Sequence, residues 1–171
     1  MGVRLVILYA LAALIALTFQ TEAPRYLPFG AFMPDLILIL AVDLGLRHHS
    51  ALAALLAFAM GYTADAVSGT HLGLNTFILT LIFVLSYVVS RQIMIASLSV
   101  GAIVVFFALL IRAYAGIAIS SGLTAVGDNE FAILRIALPQ ALITAIVAPL
   151  VFAALEQAKR RIGLPLYPSR D

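Results

Sequence analysis

"ALAALLAFAMGYTADAVSGTHLGLNTFILTLIFVLSYVVS", residues 51–90, decides the fold. Two runs rich in Leu, Ala and Ile flank a polar corner, "TADAVSGTHLGLN" at 63–75. Neither run shows the alternation that marks a lipid-facing barrel strand. Both approach the roughly 20 apolar residues that carry a helix across about 30 Å of hydrocarbon. The passage therefore reads as helix, corner, helix in a bilayer. The question it raises is why Asp65 and His71 stand at that corner.

The rest of the chain repeats the pattern. Of 171 residues, 64% are hydrophobic and 11% charged, and the mean hydropathy is +1.13. A water-soluble domain of this size cannot hide so much apolar surface, so lipid must be the solvent for most of it. Six spans are expected, near 5–20, 29–46, 51–67, 75–90, 97–119 and 132–155, in a single all-α membrane domain covering 1–171. Several are short for a crossing and need tilt, thinning or a protein neighbour.

Basic residues give the orientation. With both termini inside, Arg4, Arg47, Arg91, Lys159, Arg160, Arg161 and Arg170 are cytoplasmic, seven of the ten Lys and Arg. Only Arg25 then falls in an outer loop, and Arg112 and Arg135 fall within helices. That asymmetry predicts N-in, C-in. Residues 156–171 read as a basic cytoplasmic tail held to anionic membrane lipid, not as a nucleic-acid arm. The first span is expected to stay uncleaved, because "TEAPR" lacks a small-residue cleavage site and Pro24 would crowd a cut. With no cysteine, disulfides and thiolate metal sites are excluded.

An intramembrane charge costs about 2.5–3.5 kcal/mol on insertion scales, so each one asks for a partner or a purpose. Asp35, after Pro34, fits a helix start, where free amides and the dipole favour a carboxylate. Asp65 lies at a helix C-terminal end, where the dipole repels it. It shares a stripe with Ala57 and Gly61, small residues that admit a close neighbour. The expectation is an ion pair from Asp65 to Arg112, or to Arg135 one turn inside its helix. Asp43 and Arg47 suit an i, i+4 pair. Gly69 and Gly73 suit the reversal, and Asn75 would cap a helix beginning near Phe77. Ala137, Ala141 and Ala145 form a packing ridge, and Pro139 and Pro149 bend the last helix. Asp65, Ser68 and His71 are too close in sequence for a hydrolytic triad and have no accompanying motif. One His and one Asp are too few for zinc. No enzyme, cofactor or metal is expected.

"MPDLILILAVDLGLRHHS" (33–50) and "GYTADAVSGTHLGLN" (61–75) carry a wider pattern. A Pro-Asp opens the second span and a Gly-x-Arg closes it. Gly, Asp, Ser and Leu-Gly-Leu-Asn then surround the next corner. This pattern resembles the MreD family of rod-shape-determining bacterial membrane proteins. The matching residues are Pro34, Asp35, Gly61, Asp65, Ser68, Leu72, Gly73, Leu74 and Asn75.

The resemblance implies a non-enzymatic subunit of the cell-elongation machinery in the inner membrane. It implies partnership with MreC, and through it with MreB, RodA and a penicillin-binding transpeptidase in peptidoglycan synthesis. It also implies a six-helix bundle similar to the substrate-binding subunits of energy-coupling-factor vitamin transporters. A docking scaffold is the first reading. A vitamin-type carrier subunit is the second, with Ala12 and Ala16 as a ridge for an energising partner. A third is an ion-conducting bundle, which rests only on the intramembrane charges.

Overall fold

The computed structural model describes residues 2–26, 33–68, 73–92, 98–120 and 126–163. Among them are six helices and no strand: α1 Val3–Tyr26, α2 Leu36–Arg47, α3 Ala51–Ser68, α4 Leu74–Gln92, α5 Leu98–Ser120 and α6 Val126–Arg161. Four helical stretches are long and apolar enough to cross a membrane: Val3–Glu22, Ala51–Ser68, Leu74–Gln92 and Ala137–Arg161. In α5 the apolar stretch Val100–Ala115 is shorter.

The arrangement follows from which helices bury one stripe and which bury everything. In α2 every residue from Ile37 to Leu46 is buried, so this helix has no outward face. A helix apolar all round belongs at the centre. The other five pack around α2. At about 1.5 Å per residue, twelve residues span only about 18 Å. The expected second span, 29–46, is thus a shorter helix whose described start is Leu36.

The surrounding helices each turn one stripe inward. On α1 it is Leu5, Tyr9, Ala13 and Ala16. On α3 it is Ala53, Ala57, Gly61 and Asp65, so the small-residue stripe read from the sequence does face protein. On α6 it is Ala137, Ala141, Ala148, Phe152, Leu155 and Lys159. Their opposite faces carry large apolar side chains in the open, such as Ile146 at 76% and Leu150 at 72% exposure. Exposed aliphatic faces on this scale are what lipid solvates.

Small residues set the closest approaches. A Cβ on Gly61 would lie 2.4 Å from the Thr76 Cα and 3.0 Å from the Asn75 carbonyl oxygen, both backbone atoms of α4. A Cβ on Gly101 would instead meet the Phe152 ring edge at 2.6 Å. A ring can swing aside and a helix backbone cannot. Gly61→Ala should therefore destabilise the protein more than Gly101→Ala, by about 1–3 kcal/mol as for other overpacked sites. Thermal unfolding of the two variants in detergent measures the difference.

Candidate functional site: buried charges at both ends of the central helix

At the first end of α2 the chain enters through Met33, Pro34 and Asp35. Asp35 is the N-cap, its side chain accepting from the Leu38 amide, so the helix begins one residue after it. Asp35 thus fits the helix start as expected, as the cap itself, and Pro34 precedes it. The same carboxylate takes Gln20 Nε2 of α1 at 3.2 Å and is ion-paired with Arg112 of α5. Arg112 also donates to Asn75 Oδ1 at 2.9 Å. The Asp35 amide donates to Thr144 Oγ1 of α6 at 3.2 Å, and Gln140 Nε2 donates to the Met33 carbonyl at 3.2 Å. Elements far apart in sequence thus converge on the three residues that lead into α2. Beside it lies a cavity of about 380 Å³.

Asp65 answers the question posed by its corner, and not with an arginine. Its carboxylate accepts from the backbone amides of Gly73 (3.0 Å), Asn75 (2.9 Å) and Thr76 (2.9 Å), and from Thr76 Oγ1 (2.6 Å). The expected ion pair with Arg112 is not formed, because Arg112 is engaged by Asp35 and Asn75. Arg135, the second expected partner, is exposed. Asp65 ends α3 but sits on the N-terminus of α4, whose unpaired amides and positive dipole end favour a carboxylate. The repulsion expected from its own helix is offset by the next one.

This also shifts Asn75. α4 begins at Leu74, just after Gly73 with its φ of 97°, and not near Phe77. Asn75 is the second helical residue, and its side chain accepts from Arg112 and does not cap the helix. Ser68 Oγ donates to the Asp65 carbonyl at 3.4 Å. His71, Leu72 and Gly69 lie outside the described residues.

The other end of α2 holds a cluster that only Asp43 and Arg47 announced in sequence. Their i, i+4 pair is present at 2.7 Å. Arg47 also reaches Glu156 of α6. Lys159, counted in the basic tail, turns inward with 0% exposure. It lies 3.3 Å from Asp43 Oδ2 and donates to the Tyr9 hydroxyl at 2.8 Å. Tyr9 in turn donates to Asp43. The signal for Lys159 was periodic: it continues the stripe of Ala148, Phe152 and Leu155. Tyr9, His48, Gln20, Gln140 and Thr144 gave none.

His48 closes this cluster from the loop after α2. Its Nε2 lies 3.3 Å from Lys159 Nζ, and its ring meets the Tyr9 ring edge-on at 5.8 Å. Burial first, then the charge of Lys159, hold the imidazole down from its ordinary 6.5 to about 4. The unfolded chain therefore takes up a proton between about pH 6.5 and 4 that the folded one refuses. Stability is complete above that window and falls as pH drops through it. Resistance to SDS unfolding should decline from pH 7 to pH 5, and His48→Gln should flatten the decline.

Between the two ends, Leu38, Ile39, Leu40, Ala41 and Val42 have 2% exposure or less. No polar side chain on α2 links Asp35 to Asp43, which argues against the ion-conducting reading. Among the described residues, no group of three His, Asp or Glu side chains could hold a metal ion.

The sequence matches the family model for rod shape-determining protein MreD over residues 1–157. Neither the curated proteins nor the solved structures compared with it gave a match. A multi-pass helical membrane body, with Asp35 and Asp65 seated as described, is what that match covers. The chain belongs to the MreD family of rod shape-determining proteins.

Proposed function

We propose that this protein is a non-enzymatic scaffold of the bacterial cell-elongation complex, crossing the inner membrane six times with both termini in the cytoplasm. In this reading it docks a partner such as MreC, and through it communicates with MreB, RodA and a transpeptidase. One observation carries the reading. Asp35, Asp43, Asp65, Arg112 and Lys159 have their charges met by ion pairs or hydrogen bonds inside the bundle, which leaves the apolar outside as the surface with work to do.

That outside offers a place for a spanning helix. Between α4 and α5 runs an apolar hollow of about 340 Å³, lined by Leu85, Val89, Ile103 and Phe107 among others. A partner helix presenting Leu or Ile side chains would fill it by van der Waals packing, the main source of helix association in lipid. The carrier reading keeps the outer cavity in its favour but loses its docking ridge. Ala16 is buried within the bundle and Ala12 packs against the core. The likeness to energy-coupling-factor binding subunits stays with that second reading.

A photo-cross-linking residue at Phe107 tests the proposal, with one at Leu150 on α6 as the comparison. Cross-links from Phe107 to an MreC-type protein in intact membranes are expected. A pull-down and cross-link that recover no elongation protein from either position would overturn the scaffold.

A further inference from the structure

The cavity beside Asp35 has a chemical character that scaffolding does not use. Its wall takes residues from all six helices or their immediate ends, and about 380 Å³ falls in the range of small-molecule pockets. Three carboxamides reach it, and each is engaged at one end only. Gln20 and Gln140 spend their amide nitrogens on Pro34, Asp35 and Met33. Asn75 spends its oxygen on Arg112. Among the described residues, the Gln20 and Gln140 oxygens and the Asn75 nitrogen have no partner. Two acceptors and one donor thus belong to side chains that line the same space.

The charges there cancel. Arg112 is paired with Asp35, so an anion or cation entering the cavity would have to break that pair. We propose that the outer cavity binds an uncharged molecule of about monosaccharide size, rich in hydroxyl and amide groups, through Gln20, Asn75 and Gln140. Hydroxyls or N–H groups would donate to the two glutamines, and an amide or hydroxyl oxygen would accept from Asn75. The dry stretch of α2 beneath gives the ligand no way through, so it is held and not carried.

N-acetylglucosamine combines both groups and serves as the probe, titrated by calorimetry against the full chain in nanodiscs. Binding of the sugar is expected, with none of phosphate or glutamate. Gln20→Leu and Gln140→Leu should each weaken it at least tenfold. Should those variants fold poorly, Ala64→Phe fills the cavity without removing a hydrogen bond and should abolish binding. Nanodiscs carrying a neutral glycolipid form a second arm. Competition by that lipid assigns the site to a membrane headgroup, and its absence assigns it to a free solute. No sugar binding in either arm, equal binding of the charged probes, or full binding by Ala64→Phe would overturn the assignment.

Discussion

Asp65→Leu is expected to lower the thermal midpoint in detergent by about 10 °C, the result of losing about 3–5 kcal/mol in a chain of this length. The carboxylate is 1% exposed and receives four hydrogen bonds from the start of α4. Leucine would bury those donors with nothing to meet. Asp65→Asn keeps one oxygen and sets an amide against the remaining donors, so about half the loss is expected. The order wild type, Asn, Leu in a single unfolding series checks the account. Asn and Leu variants that unfold with the wild type, and still assemble with partners, would show the corner to be idle.

The second large effect is expected at Asp43. Asp43→Ala leaves Lys159 fully buried beside the Tyr9 hydroxyl and the His48 ring with its close carboxylate gone, and stranding a buried charge costs about 3–5 kcal/mol. Lys159→Met removes the stranded charge instead, and Arg47 still stands by the aspartate, so its cost should be smaller. The double variant Asp43→Ala with Lys159→Met should recover much of the stability lost by Asp43→Ala alone. Unfolding by SDS from mixed micelles gives the four corners of the cycle. Effects that simply add would show the two side chains to be uncoupled.

These two positions also show what was legible in the sequence. Local pairings were: Asp43 with Arg47 one turn on, and Asp65 on one stripe with Ala57 and Gly61. Pairings between helices were not, because charge sign alone cannot choose among acids. Arg112 had Asp35 and Asp65 available. It goes to Asp35, 77 residues away, because the amides of α4 already satisfy Asp65. The same contact explains the misplaced start of α4. A helix whose first amides are met by a carboxylate from its neighbour needs no capping side chain of its own, so Asn75 could not mark the boundary. Lys159 was hidden for another reason: it stands in a run of three basic residues that reads as solvated. Only its 3.6-residue spacing from Leu155 and Phe152 places it inward.

The shortness of α2 reaches beyond packing. Asp35 and Asp43 lie about 12 Å apart along its axis, where the surrounding hydrocarbon is about 30 Å thick. Only a few aliphatic side chains around Ile39 and Leu40 therefore separate the two charged clusters. An acid introduced there would set an unpartnered charge in the driest part of the bundle, and the fold would give way.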